Sequence, residues 1–294
     1  MAVVDPMKTR PTKTRGRKER SSPKPSRFRA FAKPEWLIVL TACVCDFNSW
    51  GHQFVVDDLS RIVGNPLIHS PHSLGSLLSS PYQQLSGMSP SLYRPFTSLT
   101  FAVNWWINGA SPDSFHIVNR LIHVLICLGI FWALRRLIPT SRFVPVCAAL
   151  LFAVHPIQTE AITYIDGRSD ALATLFLVYA WLFFIRARSA DVFPSRPYVA
   201  SLVLYFLGLL SKESAITWLG IALLTEWVYF SNRDWRAALG ALRQNAWRVY
   251  AGYALVSGLY LAMRFSVLHR FAQVQVTLLD NPLAHVAAPT PSRV

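Results

Sequence analysis

The chain has 294 residues, of which 52% are hydrophobic and only 15% are charged. Soluble domains carry about 25% charged residues, so this composition excludes a disordered chain, a coiled coil and an ordinary cytosolic enzyme. The formal net charge is +14, but 11 of the 29 Lys and Arg residues lie in residues 1–33, ahead of the first apolar run. We therefore predict a disordered basic cytoplasmic tail over residues 1–33, and no nucleic-acid partner.

Seven apolar runs approach the roughly 20 residues that a membrane-spanning helix needs. They lie at about 36–56, 115–137, 143–158, 169–187, 197–211, 215–231 and 247–265. Most Lys and Arg residues fall on one side of these runs, which places the N-terminus in the cytoplasm by the positive-inside rule. The sequence thus predicts an all-α, polytopic membrane domain over residues 34–294, with about seven transmembrane helices and membrane lipids as partners.

The longest predicted outer loop, about residues 57–114, ends in an amphipathic pattern. One face of the expected helix carries apolar side chains, namely Phe96, Leu99, Val103, Trp106 and Ile107. We expect this helix to lie in the outer membrane interface, with Trp105 and Trp106 as anchors.

Two adjacent carboxylates, Asp57 and Asp58, follow the first predicted span at the outer surface. Neighbouring side chains diverge on a helix or a strand, so we predict one reactive and one orienting carboxylate. A partly desolvated Asp at a membrane surface can act as a general base. The alternative is that Asp57 caps a short helix and Asp58 is solvated.

Further polar residues cluster in the outer segments. The second span begins with a stripe of four at helical spacing, His116, Asn119, Arg120 and His123. Such groups face a cavity or the bundle interior, although hydrogen bonding between helices is the alternative for each His. The next outer segments add His155, Glu160, Asp166, Arg168, Asp170, Lys212 and Glu213. Neither these residues nor the four Cys show metal-ligand spacing, and we predict neither metal nor cofactor.

Cations and carboxylates therefore share the predicted outer face. The cations Arg94, Arg168 and Lys212 suit a lipid phosphate. A carboxylate beside them suits deprotonation of a hydroxyl group. This combination indicates group transfer from a lipid-phosphate carrier.

Several motifs resemble one known family. They are FVVDDLSRIVGNPLI, YRPFTSLTFAVNWWING, FHIVNRLIHVL, LLFAVHPIQTEAITYIDGRSD, GLLSKESAIT and LLDNPLAH, in this order. Together they are similar to the membrane part of the tetratricopeptide-containing transmembrane O-mannosyltransferases and their bacterial relatives, which are GT-C glycosyltransferases. The resemblance covers about residues 36–286.

The resemblance implies a GT-C-type helical bundle. It also implies an inverting transfer of a sugar, mannose, from a polyprenyl- or dolichyl-phosphate donor to a protein Ser or Thr hydroxyl, without a metal. The family's acidic pair maps onto Asp57, expected as the base, and Asp58, expected to orient it. By analogy, the donor phosphate is assigned to Arg94, Arg168 and Lys212. The predicted cavity-lining residues are His116, Asn119, Arg120, His155, Glu160, Asp170 and Glu213.

One departure concerns the C-terminus. Family members continue with further spans and a tetratricopeptide array, but this sequence shows no repeat of about 34 residues. We expect a domain truncated at its C-terminus, with a separately encoded C-terminal half as a possible partner. The alternative function is accordingly a catalytically incomplete donor-binding or scaffold module. A transporter is disfavoured, because no internal repeat or midplane site is visible. The basic N-terminus favours a bacterial inner membrane, with the endoplasmic reticulum membrane as the eukaryotic equivalent.

Overall fold

The computed structural model describes residues 34–45, 47–55, 57–82, 92–189, 195–241 and 247–269, and every regular element in these ranges is a helix. The predicted basic tail (1–33) and the motif LLDNPLAH (278–285) lie outside the described residues. The α-helices in chain order are α1 (Pro34–Cys45), α2 (Pro66–His69), α3 (Leu74–Ser79), α4 (Pro95–Asn108), α5 (Pro112–Leu137), α6 (Phe143–Val154), α7 (Gln158–Ile162), α8 (Arg168–Arg188), α9 (Arg196–Ser211), α10 (Trp218–Thr225), α11 (Trp235–Ala241) and α12 (Trp247–Leu268).

The described helices include three that are long and apolar enough to cross a membrane, α5, α8 and α12. Three shorter apolar helices, α1, α6 and α9, coincide with other predicted spans. The run at 215–231 is built from consecutive short pieces, a 3-10 turn (Glu213–Thr217), α10 and a π turn (Glu226–Phe230). The chain is therefore a helical membrane protein, as its composition predicts, although the first helix ends at Cys45 and not at residue 56.

Helix α8 lies at the centre of the bundle, where it packs against α5 and α9. Gly129 of α5 allows this approach, because a Cβ at that position would lie 2.7 Å from Val178 Cγ1 of α8. Helices α9 and α12 are joined by short hydrogen bonds between the Ser201 and Tyr253 hydroxyls (2.7 Å) and between Tyr205 and Ser257 (2.6 Å). Small and hydroxyl-bearing residues at such contacts are typical of helix packing in membranes.

Helix α4 turns its polar side toward the protein, since Thr97 and Asn104 are buried. Thr97 Oγ1 donates to the Ser211 carbonyl (2.9 Å), so its burial is compensated by a hydrogen bond. Val103 and Ile107, from the predicted apolar face, are 41% and 72% exposed. Trp105 is not a free anchor, because its ring stacks on His69 at 4.0 Å. The interfacial position of α4 stays a prediction.

Ion pairs join segments that the sequence assigns to the same side of the membrane. At one end of the bundle, Arg188 of α8 pairs with Glu226 at 2.7 Å. At the other end, Arg94 pairs with Glu213 at 2.8 Å. The predicted outer segments thus meet at one end of the bundle, and the candidate site lies there.

Candidate functional site

Asp58 connects two loops from inside the protein, and none of its surface is exposed. Its Oδ2 accepts a hydrogen bond from the Val55 amide (3.1 Å) and its Oδ1 accepts one from the Asp166 amide (2.9 Å). The carboxylate therefore fixes the first outer loop to the connection between α7 and α8. This placement suits the predicted orienting role, and it shows that the alternative of a solvated Asp58 is wrong.

Asp57 lies on the accessible side of the same turn. Its side chain is 37% exposed, and its carboxylate pairs with Arg61 Nη2 at 3.0 Å, one turn later in the chain. Asp57 is thus the more exposed acidic residue of the pair, and Arg61 holds its carboxylate in place.

Two residues that sequence reasoning did not select, Arg61 and Tyr82, extend this arrangement through Asp166, which belongs to the predicted outer polar residues. Arg61 also pairs with Asp166, whose other oxygen accepts the Tyr82 hydroxyl at 2.5 Å. Asp166 is buried, so its two partners compensate the cost of burying the charge. The i,i+4 spacing from Asp57 could have indicated Arg61, but no local pattern marks Tyr82.

Arg94 and Lys212 each have a carboxylate partner. Arg94, only 7% exposed, donates to both oxygens of Glu213 at 2.8 and 3.1 Å and to Ser169 Oγ at 3.2 Å. The guanidinium groups of Arg94 and Arg61 both face the Tyr82 ring, each 5.4 Å from its centroid. Lys212 Nζ pairs with Asp170.

The structure therefore brings four predicted site residues into one cluster with the Asp57 network. They are Arg94, Asp170, Lys212 and Glu213. Burial alone would raise the pKa of the Glu213 carboxyl, but the hydrogen bonds and charge of Arg94 outweigh it and lower that pKa.

Arg168, the third predicted phosphate ligand, is placed differently. None of its surface is exposed. Its Nε donates to Asn119 Oδ1 (2.7 Å) and its Nη2 donates to Asn104 Oδ1 (3.0 Å) and the Phe115 carbonyl (3.0 Å). Each nitrogen of this buried guanidinium donates a hydrogen bond, Nη1 to the Thr100 carbonyl at 3.4 Å, so the arrangement favours a structural role and leaves no surface for a phosphate. Asn119 shares that role, since its amide also donates to the Ile162 carbonyl at 3.2 Å.

A cavity of about 600 Å³ adjoins Asp58. Its lining residues are Gly51, His52, Gln53, Val55, Asp58, His116, Thr159, Glu160, Thr163 and Tyr164. His116 is 2% exposed, and its Nε2 lies 3.3 Å from the His52 carbonyl oxygen. Within the described part of the chain, His116 Nδ1 and Thr163 Oγ1 are buried without a hydrogen-bond partner. The wall of the cavity thus contains two buried polar atoms that no hydrogen bond within the described residues satisfies.

The remaining predicted cavity residues lie elsewhere. His155 is exposed, and its Nδ1 accepts the Ile157 amide at 3.2 Å. Arg120 donates to Ser49 Oγ at 3.0 Å. No group of three or more His, Cys, Asp or Glu with metal-binding geometry occurs among the described residues.

The buried carboxyl of Asp58 gives stability a pH dependence. Burial raises its pKa to about 6 from an ordinary value of 3.8. Because the folded-state pKa is the higher one, this group contributes stability below about pH 4 that is lost as the pH rises through 6. The measured quantity is the Tm of Asp58→Asn minus the Tm of the unmodified chain, both from melts in detergent solution. We expect this difference to become more positive from pH 4 to pH 7. A difference that stays constant or decreases over this range would contradict the assignment.

Gly167 lets the α7–α8 connection pass close to α7. A Cβ there would lie 2.3 Å from the Glu160 carbonyl oxygen and 2.9 Å from Ala161 Cα. We expect Gly167→Ala to destabilise the chain by about 1–3 kcal/mol, because backbone must move. Gly220→Ala is the matched control, since a Cβ there has no neighbour within 4 Å. Equal melting temperatures for the two variants would show that the close approach is not required.

The known proteins to which the chain is similar include several protein O-mannosyl-transferases. The chain is 34% identical over 219 residues to human protein O-mannosyl-transferase TMTC1, which is 70% of the chain and 25% of that protein. It is 34% identical over 194 residues to mouse TMTC3, covering 65% of the chain and 21% of that protein. A Caenorhabditis elegans protein O-mannosyl-transferase is 28% identical over 254 residues, or 84% of the chain and 34% of that protein. No family model matches, and no solved structure gives a significant match.

Proposed function

The chain is homologous to the TMTC protein O-mannosyltransferases, and from this relationship we propose that it is a membrane glycosyltransferase. The chain spans about a quarter of the length of human TMTC1. That this chain catalyses the transfer by itself is therefore part of the proposal. The donor is a polyprenyl- or dolichyl-phosphate sugar, mannose by analogy, and the acceptor is a Ser or Thr hydroxyl of a protein. The reaction takes place on the extracytoplasmic face of a bacterial inner membrane, or of the endoplasmic reticulum membrane in a eukaryote.

The observation that carries this proposal is that the two acidic residues differ in exposure and in hydrogen-bond partners. Asp58 is buried and holds two loop backbones, whereas Asp57 is accessible and is held by Arg61. In the proposed step, Asp57 takes the proton of the acceptor hydroxyl, and the hydroxyl oxygen forms a bond to the anomeric carbon. The bond from that carbon to the phosphate oxygen breaks, its electron pair leaves with the lipid phosphate, and the centre is inverted.

The departing phosphate needs cations at the same end of the bundle. Arg94 and Lys212 are the two predicted ligands that lie in the Asp57 cluster, and the Lys212 side chain is 23% exposed. Their carboxylate partners hold them in place before the donor binds, and preorganised charges stabilise a developing anion without reorganisation. We therefore assign the donor phosphate to Arg94 and Lys212 and give Arg168 a structural role.

A reconstituted transfer assay tests this function. The purified chain in lipid vesicles is supplied with a polyprenyl-phosphate mannose and a Ser/Thr-containing peptide, and the product is identified by mass spectrometry. Mannosylated peptide with an inverted linkage is the expected result. Donor binding without any transfer would instead support the alternative of a donor-binding module. Neither binding nor transfer by a correctly folded chain would overturn the proposal.

A further inference from the structure

A cluster of arginine side chains lies at the bundle end opposite the candidate site. It combines Arg135 and Arg136 from the last turn of α5, Arg142 just before α6 and Arg186 from the last turn of α8. Because α5 and α8 approach closely at Gly129, their final turns lie near each other. The fold thus brings like charges from three segments together.

These arginines line two cavities. One, of about 450 Å³, is lined by Pro34, Phe131, Arg135, Pro139, Ser141 and Arg142. The other, of about 440 Å³, is lined by Trp132, Arg135, Arg136 and Arg186. Arg135 lines both, so the two cavities are neighbours at the ends of α5, α6 and α8, and together they are called the basic groove here.

The charge of this groove is only partly compensated within the described residues. Glu35 pairs with Arg135 at 3.9 Å, while Arg136, Arg142 and Arg186 have no carboxylate partner among the described residues. Elsewhere the pairs are tighter, as for Arg188 and Glu226 at 2.7 Å. Clustered like charges at the end of an apolar bundle repel each other, and an anion between them would relieve that repulsion.

The level of the groove identifies the anion. Arg135 and Arg136 directly follow the apolar run of α5, so with α5 spanning the membrane their guanidinium groups would lie at the depth of lipid headgroups. Trp132, 37% exposed, lies one turn deeper on the same helix, where it can contact the glycerol and acyl region. Phe131 and Phe183 face the guanidiniums of Arg135 and Arg186 at 5.5 and 5.1 Å, which keeps both groups near the groove.

We propose that the basic groove formed by Arg135, Arg136, Arg142 and Arg186 binds the phosphate of an anionic phospholipid in the inner leaflet. Basic pockets between transmembrane helices on the cytoplasmic side are suited to such headgroups. The positive-inside rule alone does not explain the groove, because it fixes the side of the membrane and not a convergence of three segments. This site is separate from the proposed glycosyl-transfer site, so either proposal can fail without the other.

Native mass spectrometry of the detergent-purified full chain tests the proposal. The probes are phosphatidylglycerol and phosphatidylcholine with identical acyl chains. We expect preferential retention of phosphatidylglycerol, and a roughly 10- to 30-fold loss of this preference in the double variant Arg135→Gln, Arg186→Gln. The matched control, Arg196→Gln with Arg233→Gln, removes the same charge outside the groove and should keep the preference.

Three kinds of result would overturn the proposal. The first is equal retention of both lipids by the unmodified chain. The second is an unchanged preference in the double variant, or the same loss in the control, which would indicate a net-charge effect. The third is complete displacement of phosphatidylglycerol by millimolar inorganic phosphate, which would identify free phosphate as the ligand. Arg135, Arg196 and Arg233 are exposed and Arg186 is half-buried. A size-exclusion profile like that of the unmodified chain establishes that the variants fold.

Discussion

Replacing Asp57 by Asn is expected to lower sugar transfer by about 10²- to 10⁴-fold, the range for loss of a general base. The substitution keeps the size of the side chain but removes its ability to accept the hydroxyl proton. Stability should change by less than about 1 kcal/mol, because the Asp57–Arg61 pair is partly exposed and Arg61 keeps its second partner, Asp166. Transfer of mannose to peptide and thermal melting in detergent are the two measurements.

Asp58→Asn is the matched comparison. Its amide would put N–H groups against a backbone donor, so this variant should lose folding stability together with activity. Full transfer activity in Asp57→Asn would contradict the assignment of the base. Equal effects of the two variants on both stability and activity would remove the distinction between a base and an orienting residue.

Replacing Arg168 by Met is expected to destabilise the chain by about 2–5 kcal/mol. The substitution leaves the side-chain oxygens of Asn104 and Asn119 and the Phe115 carbonyl without their donor in a buried region. Rings of Phe101 and Phe115, 4.6 and 5.2 Å from the guanidinium, would also lose a cation–π partner. A large decrease in Tm is the expected observation, with Arg196→Met as an exposed control.

The Arg168 experiment also distinguishes structure from ligand binding. If Arg168 instead contacted the donor phosphate at the surface of the site, its replacement would lower donor affinity and leave the Tm nearly unchanged. If Arg168→Met melts like the unmodified chain but no longer binds donor, the original prediction from charge and position is right and the structural role is wrong.

Hydropathy and charge could predict the helical membrane class and the grouping of polar segments at one end, because burial in lipid restricts composition strongly. They could not predict which helices are long. The segment at 215–231 is apolar throughout, yet it is divided into a 3-10 turn, an α-helix and a π turn. Hydropathy measures apolarity and carries little information about where a helix is interrupted.

Ion-pair partners were the least predictable part of the site. Arg94, Arg168 and Lys212 are equivalent by charge and by predicted side of the membrane. Their environments differ because Arg168 meets two Asn side chains from α4 and α5, whereas Arg94 meets a carboxylate from a distant loop. Such contacts depend on tertiary packing, which a single sequence does not show. The partners of the polar face of α4 were unpredictable for a related reason, since Thr97 and Asn104 are buried and hydrogen-bonded to other segments.

Photolabelling with a polyprenyl-phosphate mannose analogue tests the central claim, that the outer end of the bundle holds a lipid-phosphate sugar donor. The unmodified chain in membranes should show saturable labelling that unlabelled donor displaces. Labelling should weaken in Lys212→Gln, an accessible position, and in Arg94→Gln, while Arg196→Gln keeps it. Undiminished labelling in both site variants, or no displaceable labelling of a correctly folded chain, would contradict the proposed donor site.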